Sequence, residues 1–140
     1  MINSSATVSA ELGLSLVVPD HGAVPLVASL NYSADDPYAI RMAFHVGTDE
    51  PVEWIFARDL LAVGLEGPAG EGDVQVWPSD DHGRELLNIA LSSPFGEAHF
   101  EAPRSSTANF LSRTYEVIAP GQEGKFVDVD TELDELLWRA

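Results

Sequence analysis

Four histidines and several clustered carboxylates are the side chains of this chain best suited to chemistry, and their spacing argues against most of what such groups do. His21, His45, His82 and His99 show no H-x-x-x-H pattern, and there is no cysteine, so neither a zinc site nor a thiolate nucleophile is expected. Asp80-Asp81-His82-Gly83 has the look of a metal or acid/base cluster. The same four residues are also what a hairpin turn requires, with Asp side chains accepting backbone N–H groups and Gly at positive φ, and that reading is preferred. Asp35-Asp36 and Asp49-Glu50 each lead into a proline; among 23 acidic residues such pairs arise by chance and read as turns. There is no G-x-S-x-G elbow, and Gly67-Pro68-Ala69-Gly70-Glu71-Gly72 lacks the Lys-Ser/Thr ending of a nucleotide loop. The residues point away from an enzyme; a hydrolase using turn Asp and His side chains is the one catalytic reading left. No cofactor is expected.

The charge balance narrows the partners. With 23 acidic and 7 basic residues the formal net charge is −16, and the basic residues, from Arg41 to Arg139, form no stripe. Such a field repels phosphate backbones and anionic membrane surfaces, so no nucleic-acid partner is expected. Absence of cysteine, a polar start (Asn3, Ser4, Ser5) and a first basic residue only at Arg41 favour a cytoplasmic protein without a secretory signal. No apolar run approaches the ~20 residues of a membrane span, so direct insertion is not expected.

Behind these residues stand elements of simple periodicity. Val8, Ala10, Leu12, Leu14 and Leu16 alternate in a strand over 7–18; Leu26, Ala28 and Leu30 mark a second over 24–33; Tyr38, Ile40, Met42, Phe44 and Val46 mark a third. Val52, Trp54 and Phe56 form a short fourth that runs into a helix carrying Leu60, Leu61 and Leu65. After the Gly-rich connection come strands over 73–77, 85–91 and 97–102, with a turn over 78–83, and then a helix from the Ser105-Ser106-Thr107 start signal through Phe110 and Leu111. Trp54 and Trp77 are expected in the core. The order ββββα-βββα is an internal repeat, with Phe56-Ala57-Arg58-Asp59-Leu60 set beside Phe110-Leu111-Ser112-Arg113-Thr114. It predicts an α+β, mainly β fold: one strongly curved antiparallel sheet or open barrel of about seven strands with two or three helices. A single β-rich domain over 1–119 is expected, in two strand-helix halves (1–66 and 67–119). Exposed strand edges favour a homo-oligomer.

Residues 120–140 form a breaker segment and an acidic amphipathic helix, capped by Asp130 or Thr131, with Leu133, Leu136, Leu137 and Trp138 on one side. That helix either docks on its own domain or is offered to a partner. Arg58 and Asp59, at the start of the first helix, form either an oligomer contact or an internal ion pair. Arg58, Asp59, Leu133, Leu136, Leu137 and Trp138 are thus the candidate partner contacts.

With Trp54-Ile55-Phe56-Ala57-Arg58-Asp59-Leu60-Leu61, Gly72-Asp73-Val74-Gln75-Val76-Trp77-Pro78, Leu91-Ser92-Ser93-Pro94-Phe95-Gly96 and Phe110-Leu111 placed, the chain resembles the SsgA-like proteins of sporulating actinomycetes over nearly its whole length. The resemblance implies a whirly-like homotrimer that acts in sporulation-specific cell division. It also implies a non-enzymatic adaptor that recruits the tubulin-like protein FtsZ to future septum sites, promotes its assembly and works with an SsgA-type paralogue and a membrane-associated division protein. The whirly relatives bind single-stranded nucleic acid, which makes a nucleic-acid-binding regulator the alternative. The acidic charge and the lack of a basic strand motif weigh against that ligand, so the fold is carried over and the ligand is not.

Overall fold

Each alternating apolar run becomes a strand. A computed structural model describes residues 6–45 and 50–126. It contains β1 (Thr7–Val18), β2 (Gly22–Ser33), β3 (Asp36–His45), β4 (Val52–Ala57), α1 (Arg58–Gly64), β5 (Val74–Asp81), β6 (Arg84–Ser93), β7 (Gly96–Pro103), α2 (Arg104–Val117) and a closing 3-10 turn (Glu123–Phe126). All seven strands belong to one antiparallel sheet in the order β4-β3-β2-β1-β7-β6-β5. The expected mainly β, curved antiparallel architecture is what folds.

Alternation sends one face of every strand into a common core. Leu12 and Leu14 of β1, Ala28 and Leu30 of β2, Ile40, Met42 and Phe44 of β3, Leu87 and Ile89 of β6 and Phe100 of β7 meet Leu61 of α1 and Phe110 of α2 there. The sheet is curled into a half-barrel around this core. Phe44 and Phe100 stack with ring centroids 4.2 Å apart although β2 and β1 lie between their strands. On a flat sheet that separation would be about 14 Å. The two meanders meet at a narrow seam, since β1 and β7 pair only at Ser15–Glu101 and Leu16–Phe100, whereas β1 and β2 pair along their whole length. Where α1 crosses β5 the backbone comes so close that a Cβ on Gly64 would lie 2.6 Å from Cβ of Val76.

Some expectations are corrected. β5 continues through Pro78 to Asp81, which an edge strand allows because an edge has N–H groups the sheet does not use. The turn shrinks to His82-Gly83, with φ of 52° and 88°, and Gly83 N–H donates to Asp80 Oδ1 at 2.7 Å. Tyr38 and Val52, which continue the apolar alternation of β3 and β4, are each 54% exposed near the strand ends; beside Tyr38 the pairing of β3 with β2 shifts register between Asn31 and Ser33. Trp77 is half-buried on the sheet face opposite Val76 rather than in the core, tilted against the His99 ring. The halves also align differently. Arg58 directly follows β4 and Arg104 directly follows β7, so Arg104, not Arg113, is the counterpart of Arg58.

Candidate functional site

Each helix opens with an arginine, and each arginine reaches the far end of the other helix. Arg58, the first residue of α1, is 1% exposed. Its Nη1 donates to the carbonyls of Thr114 (3.3 Å) and Ile118 (2.8 Å) at the C-terminus of α2, and Nη2 donates to Glu123 Oε2 at 2.9 Å. The guanidinium also lies 4.9 Å from the ring centroids of both Tyr32 and Tyr115. Arg104, the first residue of α2, donates from Nε to the carbonyl of Leu65, just past the end of α1, and from Nη2 to Glu66, both at 2.9 Å. Helix C-termini carry unpaired carbonyls and partial negative charge, so a guanidinium is a favourable cap at each. The two helices are thus braced against one another across the half-barrel.

This geometry decides one of the two readings of Arg58. It is not a surface contact: its donors are used inside the chain, in an ion pair with Glu123 rather than Asp59. Glu123 lay in the sequence's breaker segment with nothing in the local pattern to link it to a residue so far upstream. The hydrogen bond from Arg58 holds the Glu123 carboxyl below the usual carboxylate range, with backbone donors adding to the effect. Burial raises the Tyr32 and Tyr115 hydroxyls, partly offset by the neighbouring Arg58 charge. Asp59, by contrast, is exposed on the first turn of α1. Leu133, Leu136, Leu137 and Trp138, with the helix expected to carry them, lie outside the described residues.

The histidines do not converge. His45 bonds to Ser29 on the surface, and His82 is almost wholly exposed in its turn beside Asp81. His99 bonds through Nε2 to Asn88 Oδ1 at 2.8 Å. Asn88, 3% exposed, donates from Nδ2 to the Trp77 carbonyl and to Ser79 Oγ, a buried polar group that ties β5, β6 and β7 together. Its place in the otherwise apolar run Leu86–Leu91 was the signal that could have found it. Among the described residues no group of three or more His, Asp or Glu is gathered as a metal site, and no helix is long and apolar enough to cross a membrane.

The family model described as Streptomyces sporulation and cell division protein, SsgA, matches residues 26–123. The chain belongs to the SsgA family. An SsgB of Thermobifida fusca, named a sporulation-specific cell division protein, is 57% identical over 98% of this chain and 99% of its own length. The SsgB of Streptomyces coelicolor is 51% identical over 95% and 97%. A solved structure from work relating SsgB mutations to longitudinal cell division during sporulation of Streptomyces coelicolor superposes with a TM-score of 0.87 at 50% identity, covering 91% of this chain and 100% of that one. The SsgA family is a family of cell-division proteins and not a known enzyme family, and these relatives support a role in sporulation cell division.

Proposed function

We propose that this chain is a non-enzymatic adaptor of sporulation septation. It recruits FtsZ to future septum sites, promotes filament assembly and connects with an SsgA-type paralogue and a membrane-associated division protein. The observation that carries this reading is the near-full-length likeness to SsgB proteins, at 57% and 51% identity. The fold supports it in kind: the conspicuous buried polar groups are engaged in bracing helices and strands, which suits a scaffold. Assembly as a trimer would multiply weak contacts with a filament, since linked sites bind a repeating partner with raised effective concentration. Asp59, exposed at the start of α1, and the Leu133, Leu136, Leu137, Trp138 face are the proposed contacts.

Co-sedimentation with polymerised FtsZ at physiological salt tests the proposal. The protein pellets with filaments, and Asp59→Lys reduces the pelleted fraction with only the small fall in melting temperature, from a loss of about 1 kcal/mol or less, expected on losing an acidic residue from the first turn of a helix. Absence of the unaltered protein from the pellet overturns the reading.

A further inference from the structure

The two edges of the sheet are finished differently. Beside β5, Ala69 pairs with Val76 through Ala69 N–H to Val76 O (2.8 Å) and Val76 N–H to Ala69 O (2.9 Å), so part of that edge is covered. Among the described residues, the outer edge of β4 has no strand partner. An open edge is normally guarded by lysine, proline or inward charge. β4 has none of these within Val52–Ala57: its one charged residue, Glu53, turns to Arg41 at 3.5 Å, and Val52 and Ile55 stand 54% and 52% exposed.

Beside this edge the curled sheet leaves an apolar cleft of about 320 Å³. Leu16, Phe44 and Phe100 line it, with Val52 and Trp54 of β4 on one side and Phe95 of the β6–β7 turn on the other. Phe95 is 100% exposed. An apolar side chain held fully in water beside an apolar cleft gains by closing over an occupant.

We propose that β4 and this cleft take up an extended, apolar segment of a partner protein as an eighth strand, with lysine or arginine at the segment's ends. The open backbone selects an extended occupant, because main-chain hydrogen bonds along an edge need one. Alternation of side chains then sends every second residue toward the cleft, on the face of β4 that carries Trp54. Charge selects the ends. Glu97 lines the cleft, Glu50 lies just before β4, and the chain carries −16 overall. An acidic segment is disfavoured there by like charge. This inference does not depend on FtsZ being the partner.

The test uses the full chain and a fluorophore-labelled nine-residue peptide of alternating valine and threonine, with two lysines at each end, followed by anisotropy. Binding is saturable and weakens about tenfold when glutamates replace the lysines. Methylating one set of alternate backbone amides abolishes binding, while methylating the other set does not. Phe95→Ala weakens binding about fivefold or more and leaves the melting temperature unchanged, as a fully exposed side chain should. Val52→Lys, which installs an edge guard, weakens it further. Equal behaviour of the two methylated peptides, or indifference to Phe95→Ala, overturns the proposal. A fall in solution mass on Phe95→Ala, without peptide binding to either protein, also overturns it by showing that a second copy covers the edge.

Discussion

Replacing Arg58 by Met keeps a long apolar stem between Tyr32 and Tyr115 but removes the guanidinium. What remains is the Thr114 and Ile118 carbonyls without a donor and the Glu123 carboxylate without its partner. Breaking a buried ion pair from one side costs about 3–5 kcal/mol, and each hydrogen bond to a charged group accounts for about 1.5–3 kcal/mol. Glu123 keeps 15% side-chain exposure and can turn toward water, which places the expected loss at the lower end, about 3 kcal/mol. For a domain of this size that is a fall of roughly 10 °C in melting temperature. Arg104→Met is the internal control. It removes two contacts of 2.9 Å, but Arg104 is 28% exposed and Glu66 80%, so screening limits the loss to about 1 kcal/mol. Urea unfolding of both variants, followed by circular dichroism, supplies the comparison. Replacing both Arg58 and Glu123 by Met should recover part of the loss, because no carboxylate is then stranded. If Arg58→Met costs less than Arg104→Met, the claim that burial makes the first brace dominant is wrong.

Three further outcomes follow from the same structure. Because Arg58 depresses the Glu123 carboxyl below 4.5, its stabilising contribution is complete above that pH and is lost as pH falls through the lower folded-state value; Glu123→Gln should therefore lie below the unaltered protein in stability at neutral pH and converge with it in acid, as measured by melting temperature against pH. The raised Tyr32 and Tyr115 hydroxyls act oppositely: their contribution is intact below 10.0 and is lost as pH rises beyond it, so alkaline unfolding should come earlier for the protein than loss of secondary structure in a Tyr32→Phe, Tyr115→Phe variant. Gly64→Ala should cost about 1–3 kcal/mol in urea unfolding, since its methyl group would overlap the Val76 side chain; a neutral result would show that α1 can lift from β5 freely.

The sequence revealed what depends on local periodicity. Alternation located every strand, and the change from a two-residue to a three-to-four-residue spacing at Phe56–Leu61 located α1. It failed where a distant strand decides. Pro78 reads as a turn until β5 is known to be an edge, and the alternation through Tyr38 does not show the register shift between β2 and β3 beside it. Arg58 is the sharpest case. Beside Asp59 at a helix start it resembles a surface residue, and only the return of the chain to Glu123, 65 residues later, makes it a buried one. The match between halves was visible as an order of elements but not as an alignment, because after β7 the motif survives as a single arginine.

The reciprocal bracing by Arg58 and Arg104 also bears on how the molecule would come apart. If one contact were simply repeated by symmetry, both ends of the helix pair would yield together. Here one end is dry and ionically paired while the other is wet, so thermal opening should begin where Arg104 meets Leu65 and Glu66, and amide protons near the end of α1 should exchange sooner than those near the end of α2.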